Sequence, residues 1–317
     1  VKQVDRFLSN SKIHPHVLQK GLVWSVVGGR KRIEVSMDWT DFAQDDHTTL
    51  ALSLILRHGR AIPLVWLTVK KSTLENQQRS YELETVRRLR DALPKHVHFT
   101  VIADRGFGST ILYDHLLGIA NCDFIIRFQQ KIFVNDGQRL KKARVLVPRD
   151  GSIRVLRRTR ITAKQVGPYT VVLYHATRMK DSWCLATSRH DASGRQIVDS
   201  YSRRFECEES FRDLKDWRYG LALKHTAIKN EARRDRIIFA FALAAFLLTI
   251  VGIHSERFGY DRYLRANTSA RRTHSLFRQG REVIACSTPN KLVQNVLQAA
   301  IRAIDAALTD GFYKAMA

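Results

Sequence analysis

Apolar and polar residues alternate between Arg32 and Trp39, so that Ile33, Val35 and Met37 fall on one face and polar residues on the other. This period of two predicts a β-strand. The next elements predicted by pattern are strands at Thr48–Leu56, Ile62–Val69, Val97–Ala103 and Phe124–Phe128, and helices at Leu74–Leu93 and Thr110–Leu117. The region therefore reads as three strands, a helix, a strand, a helix and a strand.

This order is that of a ribonuclease-H-like α/β fold, although several mixed α/β folds share parts of it. We predict a mixed sheet with helices, interrupted by an antiparallel β insertion and followed by a helical C-terminal part. The predicted organisation is a helical arm at 1–30, a catalytic domain at 31–128 and 189–260, a β insertion at 129–188 and a helical region at 261–317.

The insertion is recognised by its turns and its charge. Turn signals at Asn135–Gly137 and Asp150–Gly151 separate short apolar runs, which is typical of antiparallel strands. Its basic residues are Lys141, Lys142, Arg144, Arg154, Arg157, Arg158, Arg160 and Lys164. They predict a cationic face, although edge strands also carry Lys and Arg simply to prevent aggregation.

Long helices are predicted at Ser193–Trp217, Ile237–Ile253 and Lys291–Leu308, whereas the arginine-rich segment Tyr260–Arg281 reads as a loop. The 17 residues of Ile237–Ile253 carry no charge, which is the short limit for a membrane-spanning helix. A buried core helix explains the same pattern and is our preferred interpretation.

The charge of the chain indicates its partner. Lys and Arg number 53 against 30 Asp and Glu, a formal net charge of +23. Nucleic acid is the commonest partner of so basic a protein, and an anionic membrane surface is the competing explanation. The four cysteines form no Cys-x-x-Cys pair, which argues against a structural zinc site and a disulfide framework and fits a reducing cytosol.

One stretch carries unusual chemistry. Counted at 100° per residue on a single helix, Tyr201, Arg204, Glu208 and Lys215 share a face about 60° wide, and Arg212 lies beside it. One carboxylate is thus surrounded by groups able to donate to phosphate. A solvated helix with paired charges is the alternative.

Two aspartates stand in equally unusual places. Asp38 lies within a strand, where Asp is disfavoured, and Asp104 ends a strand just before a glycine-rich turn. With Glu208 they predict converging carboxylates, which bind hard divalent cations suited to phosphoryl transfer. Taken singly, each has an ordinary explanation as a strand-end polar group, a turn former or half of an ion pair.

These residues resemble a known family. The spacing Tyr201-x2-Arg204-x3-Glu208-x6-Lys215 resembles the Y-R-E-K signature of bacterial DDE transposases of the insertion-sequence-four group. The blocks that contain the two aspartates, Val35-Ser-Met-Asp38-Trp-Thr-Asp-Phe and Val101-Ile-Ala-Asp104-Arg-Gly-Phe-Gly, resemble the two aspartate strands of that group. The resemblance spans about residues 30–250.

The resemblance implies a catalytic function. Asp38, Asp104 and Glu208 would be the catalytic triad and the ligands of two Mg²⁺ ions, with Mn²⁺ as a substitute. The activity would be cut-and-paste transposition of an insertion sequence by strand nicking, hairpin formation and strand transfer.

The resemblance also implies how DNA is held. Tyr201, Arg204 and Lys215 would grip phosphates near the transposon end, with Arg212 beside them, and the indole of Trp183 would receive a flipped base. Packing in the core of the insertion is the alternative for Trp183. The partners would be double-stranded DNA at transposon ends and target, and a second copy of the chain in a homodimer on DNA, in the bacterial cytoplasm with the nucleoid and without a membrane.

The chain departs from the group in one respect. Members carry an N-terminal DNA-binding domain before the first aspartate, whereas only 37 residues precede Asp38, so residues 1–30 are interpreted as the remnant of such a domain. A truncated, non-catalytic DNA-binding inhibitor of the full-length transposase and a structure-selective nuclease of the same fold are therefore the alternative functions.

Overall fold

The alternating run after Arg32 forms a central strand of a mixed sheet that, among the described residues, has ten strands. The structure is a computed structural model. It describes residues 2–56, 60–215, 223, 227–266, 268–269, 272–287 and 290–316, without the side chains of residues 206, 211, 213–215 and 312–316.

The strands in chain order are β1 Arg32–Phe42, β2 His47–Ile55, β3 Ala61–Lys70, β4 His98–Ala103, β5 Cys122–Arg127, β6 Phe133–Asn135, β7 Leu140–Lys142, β8 Ile153–Ile161, β9 Val166–Tyr174 and β10 Trp183–Thr187. They are arranged as β3-β2-β1-β4-β5-β10-β9-β8-β6-β7. The β1–β4 and β4–β5 pairs are parallel, and the other neighbours are antiparallel.

The helices are α1 Lys2–Ser9, α2 Pro15–Val27, α3 Gln78–Ala92, α4 Thr110–Leu117, α5 Ala143–Leu146, α6 Gly194–Ser202, α7 Phe205–Lys215, α8 Glu231–Arg257, α9 Leu276–Ile284 and α10 Lys291–Met316. Short 3₁₀ turns lie between several of them. The three antiparallel strands, the parallel β4 and β5 and the helices between them match the predicted order. The predicted fold class, a ribonuclease-H-like mixed α/β fold with a helical C-terminal part, is confirmed.

The alternation along β1 sets the two faces of the sheet. Ile33, Val35 and Met37 are buried in the main hydrophobic core. The opposite face of β1 carries Glu34 and Asp38 and is covered by α6 and α7. The polar positions of β1 therefore point towards the helices that carry the predicted signature.

The predicted helix Ser193–Trp217 is wrong in one respect, because two helices occupy this stretch. They are α6 and α7, separated by a turn at Arg203–Arg204 in which the Arg204 N–H donates to the Tyr201 carbonyl at 3.1 Å. A single helical count from Tyr201 to Lys215 is therefore invalid, since the axis changes between them.

Two other regions also differ from their prediction. The strands of residues 129–188 extend the central sheet, and β10 lies directly between β5 and β9. The segment Tyr260–Arg281, predicted as a loop, contains a 3₁₀ turn at Tyr260–Leu264 and the start of α9. Arg278 of α9 is exposed and Arg281 partly so, whereas Leu276, Phe277 and Val283 are buried.

The apolar helix α8 packs against β3, α9 and α10. Glycines bring α8 and α9 together, since a Cβ atom on Gly252 would overlap the Leu276 carbonyl and one on Gly280 would overlap that of Leu248. By length and composition alone α8 is long enough to cross a membrane, and 56% of its most apolar window is buried inside the protein. This packing matches a core helix.

Candidate active site

The two aspartates meet where β1 and β4 run side by side. The parallel register pairs Met37 with Ala103, so the next residues on the two strands, Asp38 and Asp104, are neighbours at the carboxyl end of the pair. In open α/β sheets this edge is where ligands bind. The sheet therefore places both predicted carboxylates in one location.

Asp104 is held by the turn that follows it. Its Oδ1 atom accepts a hydrogen bond from the Gly106 N–H at 2.8 Å and caps a 3₁₀ turn at Arg105–Phe107. A Cβ atom at position 106 would lie only 3.1 Å from that same oxygen. The glycine thus allows the carboxylate to bend back over the turn while its second oxygen makes no described protein hydrogen bond.

The Asp38 carboxyl is largely buried and lies near other charged side chains. Burial raises the pKa of its carboxyl to about 6. The charge of Arg204 lowers this pKa, and the carboxylates of Asp104 and Glu208 raise it. All three side chains are thus near enough to Asp38 to act on its charge, so the predicted acidic residues form one cluster.

Arg204 stands at the centre of this cluster. It is 8% exposed and donates from Nη2 to the Glu208 Oε1 atom at 2.7 Å, one turn along α7. Its guanidinium lies 4.9 Å from the centre of the Phe205 ring. Its buried Nε atom has no hydrogen-bond partner within the described part of the chain. The turn between α6 and α7 therefore places the Arg204 guanidinium near the carboxylates of Asp38 and Glu208.

The aromatic residues of the prediction pack together beside this cation. Trp183 contacts Tyr201 edge-on at 4.8 Å between ring centres and lies 6.2 Å from Tyr174 and 6.4 Å from Phe205. Tyr201 is 1% exposed, whereas Trp183 is only partly buried. The buried Tyr201 ring lies between Arg204 and Trp183, 5.9 Å from the Arg204 guanidinium and in contact with Trp183. The partly exposed indole of Trp183 forms part of the protein surface.

The remaining signature residues lie further along α7. Arg212 is half exposed and forms an ion pair with Glu209. Lys215 is the last residue of α7, and its side chain lies outside the described residues. The DNA contacts assigned to these residues, and to Tyr201, Arg204 and Trp183, stay predictions.

The cluster suits a metal ion only in part. Two neighbouring carboxylates at a strand edge, one with a raised pKa, are suitable ligands for a hard cation. Among the described residues, however, no three acidic, histidine or cysteine side chains are arranged to hold one ion. Glu208 is paired with Arg204, so its carboxylate would have to rotate to become a third ligand.

Sequence reasoning missed Arg127, which ends β5 beside β4. Its side chain is 16% exposed, lies 3.6 Å from the Asp181 carboxylate and donates to the Ser182 carbonyl at 3.1 Å. Its charge also lowers the pKa of Tyr201, against the larger effect of burial. The position of Arg127 in the sequence could have identified it, because it ends the strand that lies next to β4 and so reaches the same sheet edge as Asp38 and Asp104.

Comparison with known protein families agrees with this geometry. A model of the transposase DDE domain matches residues 69–247, which is more than half of the chain. The chain belongs to the transposase DDE domain family. No curated protein gives a significant match. Asp104 and Glu208 of this transposase domain lie inside the matched residues, and Asp38 precedes them.

Membership in the transposase family settles the broad class of function. A DDE domain implies DNA as the partner and phosphoryl transfer on nucleic acid as the chemistry. It also fits the formal charge of +23, which is the sign needed to neutralise phosphates.

Proposed function

We propose that the chain is a cut-and-paste DNA transposase of the insertion-sequence-four group. The observation that carries this proposal is that Asp38 lies beside Asp104 at the carboxyl edge of β1 and β4, near enough to the Arg204–Glu208 pair for both of its members to act on the charge of Asp38. The reaction sequence is hydrolysis of one strand at the transposon end, attack of the freed 3′-hydroxyl on the opposite strand, and strand transfer to a target. It acts as a homodimer on two paired ends, in the bacterial cytoplasm.

Asp38, Asp104 and Glu208 would hold two Mg²⁺ ions, or Mn²⁺ as a substitute, which supply activation of the attacking oxygen and stabilisation of the leaving one. The residues around them have separate tasks. Arg204 lowers the pKa of Asp38 and so favours the ionised carboxylate that binding requires. It also holds Glu208 close to the other two carboxylates before DNA arrives.

The same groups would position DNA. A phosphate placed over the cluster competes with Glu208 for the Arg204 guanidinium, and Arg212 and Lys215 extend the cationic row along α7. Trp183 offers a partly exposed indole supported by Tyr201, which suits stacking of a flipped base.

A pair of neighbouring glutamates tests the catalytic assignment. Glu208→Gln is expected to lower single-turnover cleavage of end-containing DNA on the order of 10³-fold, because several kcal/mol of metal-assisted stabilisation are lost. Glu209→Gln is the matched control, since this glutamate pairs with Arg60 and Arg212 and lies away from the aspartates. Normal cleavage by the Glu208 variant would contradict the proposal.

One observation favours a second candidate, a DNA-binding inhibitor without catalysis. The Arg204–Glu208 ion pair occupies the third carboxylate, and among the described residues no three acidic, histidine or cysteine side chains are arranged to hold one ion. Such an inhibitor would bind transposon ends but cleave none of them. A structure-selective nuclease would instead cleave DNA without an inverted repeat and join no strands, so a combined cleavage and joining assay separates all three.

A further inference from the structure

A second cationic site lies at the other end of the strands that carry the aspartates. A groove of about 490 Å³ opens where β1 and β4 begin. Its charged lining consists of Arg30, Arg32, Glu34, Arg189 and Arg203. Four guanidiniums thus surround a single carboxylate, and the uncharged part of the lining includes Leu54, Ile55 and Leu56.

The groove contains more arginine donors than its one carboxylate can pair with. Glu34 accepts from Arg203 at 2.6 Å and from the Ser200 hydroxyl at 2.7 Å, and lies 3.8 Å from Arg189. Its one negative charge is therefore shared between two arginines. Arg32 is exposed and has no hydrogen-bond or ion-pair partner anywhere in the described structure.

Arg30 has a different role in the groove. Its Nη1 atom donates to the carbonyls of Val26 and Val27 at 2.9 Å each, which caps the C-terminal end of α2. Burial lowers its pKa, but an arginine at this position stays charged. It therefore adds positive potential while its hydrogen bonds serve the fold.

The groove and the catalytic cluster occupy one face of β1. Arg32, Glu34 and Asp38 alternate along that face, and Glu34 precedes Asp38 by four residues, about 13 Å along a strand. The turn between α6 and α7 connects the two sites, because Arg203 reaches Glu34 and Arg204 reaches Glu208. Each strand of a duplex carries one phosphate per about 3.4 Å of axis, so this separation corresponds to about four nucleotides.

We propose that the groove binds the sugar-phosphate backbone of DNA, as a contact distinct from the catalytic cluster. Arg32 and Arg189 would donate to phosphate oxygens, and the apolar lining would accommodate the sugar. Arginine clusters with unpaired donors are suited to phosphate because the planar guanidinium donates to two oxygens at once. The proposal rests on DNA as the substrate of the proposed function.

The test is the salt dependence of DNA affinity. In an Arg32→Gln, Arg189→Gln double variant, the slope of log affinity against log salt is expected to decrease by about one per arginine, equally for different sequences. The matched control is Arg262→Gln with Arg302→Gln, two exposed arginines in the 3₁₀ turn Tyr260–Leu264 and on α10 whose side chains have no partner in the described structure. An Arg32→Lys, Arg189→Lys double variant is expected to retain most of the wild-type slope, since lysine keeps the positive charge.

Cleavage at saturating DNA separates this proposal from the proposed function. The double variant is expected to cleave at the wild-type rate once bound, whereas Glu208→Gln is expected to bind as the wild type does and not to cleave. A wild-type salt slope in the double variant would overturn the groove, even if cleavage is normal. If the double variant has a reduced slope and the wild-type protein cleaves no DNA, the groove is supported and the catalytic assignment is overturned. A wild type that binds no duplex overturns both.

Discussion

Two arginine-rich segments of the molecule serve opposite purposes. Arg203 and Arg204, in the turn between α6 and α7, form ion pairs with Glu34 on β1 and Glu208 on α7. The arginines that begin α8, at 233–236, are directed instead at the N-terminal arm and at the loop after β1. Both segments are rich in arginine, but the acceptors of their arginines differ.

The arginines of α8 have their ion-pair and hydrogen-bond partners within the fold. Arg236 donates to the carbonyls of Ile13 at 3.0 Å and Leu8 at 2.9 Å, which ties α1 to the core. Arg234 is fully buried, forms an ion pair with Asp45 and lies 4.1 Å from the centre of the Phe42 ring. The acceptors of these two cations lie within the fold, although the buried Nε and Nη1 atoms of Arg234 have no hydrogen-bond partner among the described residues.

The difference shows that net charge does not locate a DNA surface. A formal charge of +23 includes cations such as Arg236, which donate to acceptors inside the fold, and cations such as Arg32, which are exposed. They are distinguished by what accepts their hydrogen bonds. Where the acceptor is a main-chain carbonyl or a buried carboxylate, the charge is structural; where it is an exposed carboxylate, a phosphate can compete for it.

The largest effect is expected at Arg234. Arg234→Gln should lower the free energy of unfolding by about 3–5 kcal/mol, because it leaves the nearly buried Asp45 carboxylate without its partner. Chemical unfolding monitored by circular dichroism measures this. Arg233→Gln is the control, since its ion pair with Asp5 is exposed and should contribute at most about 1 kcal/mol. Equal stability of the two variants would contradict the structural role.

The second effect concerns Arg204 and chemistry. Arg204→Gln should lower single-turnover cleavage on the order of 100-fold, about 2.7 kcal/mol, because Asp38 loses the positive charge that favours its ionised form. DNA cleavage at saturating substrate measures this, with unfolding followed in parallel. If Arg204→Gln is as unstable as Arg234→Gln but cleaves normally when folded, the role of Arg204 is structural and not catalytic.

A third effect depends on pH and concerns Asp235, the acidic neighbour of Arg234 and Arg236. Burial raises the pKa of Asp235 to about 7 although its Oδ1 atom accepts from the Thr68 N–H at 3.1 Å. The folded state therefore favours the protonated carboxyl. Its stabilising contribution is complete below pH 4 and is lost as the pH rises through about 7.

Asp235→Asn isolates this contribution. The unfolding free energy of the wild type minus that of the variant should decrease by about 4 kcal/mol at most between pH 4 and pH 8, because a rise of about three units in the pKa corresponds to about 1.4 kcal/mol per unit and the amide does not titrate. Denaturant titrations at several pH values measure this difference. A difference that rises with pH would mean that the buried carboxyl is stabilised as an anion.

Local pattern was enough to predict the elements that carry the aspartates. The alternation in β1 and the glycine-rich turn after β4 depend on neighbouring residues only, and α4 has the predicted bounds Thr110–Leu117. The convergence of Asp38 and Asp104 followed from parallel strands in adjacent positions. These features were therefore within reach of sequence reasoning.

Features decided by distant contacts were not predictable in this way. No proline or glycine marks the break at Arg203–Arg204, which is accompanied by ion pairs to Glu34 on β1 and to Glu208 on α7. The position of β10 between β5 and β9 also depends on partners far apart in the chain. The pairing of Glu208 with Arg204 depends on side-chain geometry, which a helical count does not give.

The position of β10 has a consequence for how the chain acquires its structure. β5 is covered on one side by β4, but on the other side only β10, which begins at Trp183, completes it. The edge next to Arg127 therefore stays open until residues 129–187 have been synthesised and β10 has paired with β5. Such distant pairing slows folding, and an open strand edge invites association with other chains. We therefore expect the insertion to be indispensable to a soluble fold.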